Sequence, residues 1–255
     1  MTEPFRLAGI VVHGRDLRTW DLVGADLTGA DLERCVLIGA DLTGADLTDA
    51  NLTGADLTDA VFPHGTNLAR VALVGATLVG ATLIGARADG ITLTSFDLTG
   101  ANLRGANFAR TYMPHANLTD ADLSESNFTG ADLSMARAAG MHAGCANFRR
   151  AMANMLRAPG LFAEESYWKG ANLVGADFTD ANLASAELTD TMLRGANLTR
   201  AALNCADLRD ADLTGANLTG ADLTYANLTG AILTGAILTG AILTETIGAP
   251  IAIPA

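Results

Sequence analysis

Four histidines and three cysteines carry the widest chemical repertoire in this chain of 255 residues. His13, His64, His115 and His142 never fall at ligand spacing such as HxxxH. Cys35, Cys145 and Cys205 form no CxxC pair, so no metal centre is expected. There is no GxSxG elbow and no P-loop. Serines and threonines are abundant, but they recur as a ladder and not beside a base. A shallow, repetitive surface offers no cleft in which a nucleophile could be desolvated. Neither catalysis nor a cofactor is therefore expected. Carboxylate is what remains in quantity: 28 Asp and Glu against 16 Lys and Arg, a net charge of −12. That balance excludes direct nucleic-acid binding from the expected functions.

The carboxylates recur with a period, and the period defines the elements that hold them. From Ala40 the chain reads ADLTGADLTDANLTGADLTDA, a repeat of five. Taking the central residue as i, centres run from Val12 in steps of five to Phe62, giving 11 repeats. One extra residue follows within Pro63–Asn67, and 36 further repeats run from Leu68 to Leu243. Of these 47 centres 33 are Leu, and i−2 is mostly Ala, so two small-to-medium apolar side chains share one side of a short extended segment. Position i−1 between them faces outward and is Asp 14 times and Asn 12 times. Gly stands at i+2 in 23 repeats, where a type II turn needs positive φ. Pro63, Pro114 and Pro159 stand at i+1, where φ near −65° is wanted. Each pentapeptide reads as a very short strand plus a corner, a unit that buries a core only by winding into a solenoid.

Composition agrees. The chain is 49% hydrophobic but only 5% aromatic, because Ala and Leu supply the apolar content. No run approaches 18 uninterrupted apolar residues, so no membrane span is expected. The start MTEPFRLAGIVVHGRDL lacks the pattern of a secretion signal, and three unpaired cysteines fit a reducing cytoplasm.

The large centres set the coil. Phe108, Phe128, Phe148 and Trp168 are spaced by 20, so four pentapeptides per coil stack them on one side. Nearby centres shrink to Ala138, Ala143, Ala153, Ala158 and Ala163, while Leu156 and Leu161 enlarge the small i−2 slot. A ring that gains an aromatic and loses leucines can keep its volume. Residues 134–170 are accordingly expected to continue the coil. The alternative is a helical excursion around Phe148–Arg157, where Phe148, Met152, Met155 and Leu156 are helix-spaced, with 148–170 looping out of the coil.

Dozens of A(D/N)LxG units make the sequence resemble the pentapeptide-repeat family. The resemblance implies an all-β fold, a right-handed quadrilateral β-helix of about 12 coils. It divides the chain into an N-terminal cap at 1–11, the β-helix at 12–246 and a C-terminal tail at 247–255. The layout of 11 repeats, a one-residue insertion and a longer block is similar to the Qnr-like, gyrase-protecting branch. That likeness implies a DNA mimic that binds DNA gyrase or topoisomerase IV and confers resistance to a topoisomerase inhibitor. No projecting loop and no C-terminal amphipathic helix accompanies it here. The competing expectation is a structural or scaffold solenoid with no topoisomerase role.

Charge placement tempers the mimicry. B-DNA carries one charge per ~1.7 Å, so a rod of ~56 Å would need roughly 33 charges. Acidic residues collect instead in two end regions, ten at 16–59 and nine at 177–245. Four-fold coiling assigns Asp16, Asp56, Asp59, Asp97, Asp120, Asp177 and Asp180 to one candidate partner-binding face, interrupted by Arg137 and Arg157. The opposite, alternative face gathers Asp26, Asp46, Asp49, Glu187, Asp190, Asp207 and Asp210. At the C-terminus the outward positions become Ile232, Ile237 and Ile242, followed by Ile247. Burying one isoleucine fully contributes about 1.5–3 kcal/mol, so these residues are expected to form a homodimer interface or to lie under a folded-back tail.

Overall fold

The computed structural model describes residues 6–248. The proline-containing tail beyond Gly248, with Pro250 and Pro254, lies outside the described residues, and so does the start of the cap.

Each pentapeptide contributes one side of a four-sided tube. The outward residue of each side forms parallel bridges to the residues one coil before and after, as in Asp26↔Asp46 and Asn107↔Asn127↔Asn147. The offset is 20 residues, four repeats per turn. Hydrogen bonding explains why so short a strand suffices. The Leu27 N–H donates to the Asp46 carbonyl at 2.9 Å, the Gly29 N–H to Thr48 at 2.8 Å, and the Asp46 N–H to Ala25 at 2.9 Å. Within the corner the Ala30 N–H donates to the Leu27 carbonyl at 2.9 Å, closing a four-residue turn.

That turn places its third residue at positive φ. Gly29 sits at +62°, as the type II geometry requires. The same slot takes φ +57° at Met155, and twenty-one non-glycine residues share the left-handed region among the described residues. Left-handed backbone is unfavourable for a residue with a Cβ. The ladder bonds on both sides of the corner fix the conformation whatever residue arrives.

The ladder already holds Arg6 and Val11, which bridge Asp26 and Asp31, and Leu7 is buried as a centre. The extra residue near Pro63 is absorbed at one corner. Asn51 pairs with Ala72 and Val61 with Thr82, an offset of 21, and Asn67↔Arg87 restores 20. The Thr66 hydroxyl donates to the Pro63 carbonyl at 2.6 Å, and a 3₁₀ turn occupies Leu68–Arg70.

Residues 134–170 stay in the coil and no helix leaves it: Asn147 bridges Tyr167, Met152 bridges Asn172 and Arg157 bridges Asp177. Leu156 and Leu161 are buried in their enlarged slots. The rings of Phe108 and Phe128 stack at 5.1 Å, Phe128 and Phe148 at 5.5 Å, and Phe148 and Trp168 at 4.1 Å. Phe178, a centre on the opposite side of the tube, meets Trp168 edge-on at 6.0 Å. At the C-terminal end Leu233, Leu238 and Leu243 are partly buried, and no further coil follows them among the described residues.

Candidate interaction faces

The ladder leaves one backbone donor per repeat without a partner, the N–H at i+1. The outward Asp or Asn supplies it. At Asp56 the Oδ1 accepts from the Thr58 N–H at 3.1 Å and from its hydroxyl at 2.7 Å. All fourteen aspartates at i−1 accept the i+1 N–H in this way, and asparagines such as Asn51, Asn127 and Asn217 do the same. Asp and Asn both serve because each places an acceptor two residues back from the N–H.

The coil stacks Asp16, Val36, Asp56 and Thr77 in one column, and Asp97 follows through the hydrogen bond from the Leu78 N–H. The column continues through Asn117, Arg137, Arg157 and Asp177. Asp59, Asp120 and Asp180 occupy the turn slot of the same side, at φ +57°, +57° and +58°. On the opposite side Asp26 and Asp46 pair at one end and Glu187 and Asp207 at the other, with Arg87 between.

Ion pairing separates the two sides. On the first, Arg18 engages Asp16 at 2.6 Å and Arg200 engages Asp180 at 2.6 Å. Asp56, Asp59, Asp97, Asp120 and Asp177 make no ion pair among the described residues. On the second side Arg70 engages Asp49, Arg149 engages Glu187, Lys169 approaches Asp190 and Arg209 engages Asp207. Only Asp26, Asp46 and Asp210 are left there. The Arg18 guanidinium holds Asp16 down to about 2. Hydrogen bonds from Arg200 and Arg209 lower Asp180 and Asp207 in the same sense.

Coiling also assembles groups that linear spacing hides. His13 Nε2 lies 2.6 Å from Asp31 Oδ2, and Glu33 completes a set whose ligand atoms lie within 4.8 Å of one another. Among the described residues this is the one group with a donor set that could hold a divalent cation, and it escapes a search for HxxxH because the coil, not a helix, brings 13 beside 33. Arg149 lies over the Tyr167 ring at 4.6 Å, and His142 stacks on Phe162 at 4.7 Å. A search for features 20 apart would have found the second pair. Cys35 is buried, its thiol donating to the Val12 carbonyl at 2.9 Å, and burial raises its pKa. Cys145 and Cys205 are exposed at corners. Ile232, Ile237, Ile242 and Ile247 stand about half exposed on the last coil. Among the described residues no helix is long and apolar enough to cross a membrane.

A tube of four-residue corners and single-bridge sides, wound at 20 residues per turn, defines a repeat solenoid of the quadrilateral β-helix type. The chain belongs to the pentapeptide repeat family: the Pentapeptide repeats profile matches residues 21–62, 64–100, 97–134, 169–200 and 201–240 in eight copies. Members of the family fold as right-handed quadrilateral β-helices. Among solved structures, the chain is similar to HetL, a pentapeptide repeat protein involved in heterocyst differentiation regulation from the cyanobacterium Nostoc sp. strain PCC 7120. The identity is 28% over 95% of this chain and 88% of HetL, with a TM-score of 0.32. It is also similar to QnrB1, a plasmid-mediated fluoroquinolone resistance protein, at 17% identity over 91% of this chain and 92% of that one, with a TM-score of 0.39. A pentapeptide repeat protein of the Arabidopsis thaliana thylakoid lumen matches at 32% identity over 40% of this chain and 65% of its own, with a TM-score of 0.27. Comparison with curated protein sequences gives no match.

Proposed function

We propose that the protein is a non-catalytic, cytoplasmic rod that binds another protein along a side face. DNA gyrase or topoisomerase IV, engaged by DNA mimicry and thereby protected from an inhibitor, is the partner to test first. One observation carries the choice of face: five carboxylates on the side of Asp16 to Asp180 have no ion pair, against three on the opposite side. Unpaired carboxylates present charge to a basic groove without first breaking a bond. In the same proposal residues 12–246, about 12 coils, form the binding rod, with 1–11, whose Arg6 and Val11 already bridge the first full coil, as its cap and 247–255 as its tail. Ile232, Ile237, Ile242 and Ile247 join two copies end to end. A supercoiling assay with and without a quinolone tests the partner. Inhibition or protection at micromolar protein supports topoisomerase engagement, and neither effect at that concentration refutes it.

A second reading, a scaffold solenoid with no topoisomerase role, is favoured by the corner bonds. Asp56, Asp97 and Asp177 turn Oδ1 onto their own Thr58, Thr99 and Thr179. A carboxylate that supports its corner needs no partner to explain it. Replacing Asp59 and Asp120, which occupy turn slots and accept no corner hydrogen bond among the described residues, with Asn separates the readings. DNA mimicry predicts weaker topoisomerase binding, and a scaffold predicts no change.

A further inference from the structure

A basin of about 370 Å³ opens where two sides of the tube meet, with His115, Met135 and Met155 on one wall and Asn117, Arg137 and Arg157 on the other. The coil builds both walls. The first three are successive residues of one turn column at φ +60°, +58° and +57°, and the second three are successive rungs of the neighbouring ladder.

The arginine wall is electrostatically unbalanced. Adjacent rungs lie ~4.8 Å apart, and like charges placed side by side oppose each other. Neither Arg137 nor Arg157 makes an ion pair or a side-chain hydrogen bond among the described residues, in a chain of net charge −12. Elsewhere Arg18, Arg70, Arg110 and Arg200 each hold a carboxylate. The acids in the same column do not serve this pair. Asp177, next to Arg157, and Asp97, beyond Asn117, give their Oδ1 atoms to Thr179 and Thr99.

Beyond His115, the other wall is apolar where the repeat favours glycine or a polar residue. Met135 and Met155 are 50% and 51% exposed. Met155 extends over the next rung, where a Cβ on Gly175 would come within 2.6 Å of its Sδ. Flexible thioethers fit apolar side chains of several shapes.

We propose that this basin docks an acidic, extended segment of a partner protein, its carboxylates on Arg137 and Arg157 and its apolar side chains on Met135 and Met155. A peptide suits the site better than nucleic acid, because the rod's overall negative field repels a uniform polyanion. The proposal rests on the reading that the rod binds protein, and not on the topoisomerase or on either acidic face.

The test uses the full chain with methyl-labelled methionine and a fluorescein-labelled peptide of Glu-Leu-Glu-Glu-Leu-Glu sequence. The expected result is saturable binding that shifts the Met135 and Met155 methyls and leaves the buried Met113 unmoved. Replacing the peptide's Glu by Gln, or combining Arg137→Glu with Arg157→Glu, should weaken binding at least about tenfold. Arg150→Glu, an exposed arginine on another corner, should leave it within about twofold. Equal affinity for the Glu and Gln peptides overturns the proposal, as does binding unchanged by the double variant. Tighter binding of a single-stranded oligonucleotide, or no methyl shift at about 1 mM peptide, overturns it too. A negative supercoiling assay leaves these outcomes untouched, so the two readings fail separately.

Discussion

Trp168 stacks on Phe148 with ring centroids 4.1 Å apart and planes 13° from parallel. Both are fully buried at the middle of a tube otherwise filled by Leu and Ala. The indole takes the volume that Ala153, Ala158 and Ala163 give up within its coil, and close packing leaves no slack. Trp168→Ala is therefore expected to cost about 3–5 kcal/mol, read from the urea midpoint. A loss below about 1 kcal/mol would mean that the alanine-rich ring collapses to fill the void.

Ser166 stands in a slot where the repeat prefers alanine, and it is buried. Its oxygen accepts from the Trp168 indole N–H at 2.8 Å, and its hydroxyl donates to the Ala163 carbonyl at 2.5 Å. Ser166→Ala fits the space but strands the indole donor, at an expected cost of about 1–3 kcal/mol. Trp168 emission should stay blue-shifted, which separates a lost hydrogen bond from an opened core.

The corner acceptors give a test of charge against geometry. Asp222 accepts from the Thr224 N–H at 2.9 Å and its hydroxyl at 2.5 Å. Asp222→Asn keeps the acceptor and should unfold at the same urea concentration. Asp222→Ala removes it and should cost about 0.5–1.5 kcal/mol. Equal losses in both variants would show that the charge, and not the acceptor, holds the corner.

Acid should weaken the coil. Hydrogen bonds from Arg18, Arg200 and Arg209 depress Asp16, Asp180 and Asp207, and the threonine corners depress Asp41, Asp46 and Asp212. A carboxyl whose folded pKa lies below its unfolded value near ~3.9 contributes stability above that value and loses it as pH falls through the folded one. The urea midpoint is expected to hold from about pH 7 to pH 5 and to drop between about pH 4 and pH 2. A midpoint that rises on acidification would contradict the assignment.

At the last described coil, Ile232→Asp, Ile237→Asp and Ile242→Asp together should give a monomer in light scattering if two copies meet there. The three side chains are half exposed, so the substitutions leave the core untouched. An unchanged dimer would move the interface elsewhere.

The period of five, the positive-φ corners and the aromatic spacing of 20 were all legible along the chain, because local geometry repeats where residues repeat. The role of the outward Asp was less so. Turn chemistry suggests that Asp or Asn at i−1 both solvates the rod and supports its corner, and only the ladder reveals which group it serves, the N–H at i+1. Along the chain the two acidic faces were told apart by Arg137 and Arg157, which interrupt the first, and not by ion pairing. They differ because Arg70, Arg149, Lys169 and Arg209 happen to reach carboxylates on one of them.

The sequence alone determined the coil: a pentapeptide repeat with a small and a large apolar residue two apart has one way to bury both, and four corners bring every twentieth residue together. Tertiary structure decided which charges are spent and which are left. Arg137 and Arg157 read as an interruption of an acidic column, yet they form a wall facing two methionines. Ion pairing, the His13–Asp31–Glu33 group and the basin depend on where side chains reach across rungs. Distances between rungs exist only once the chain is wound.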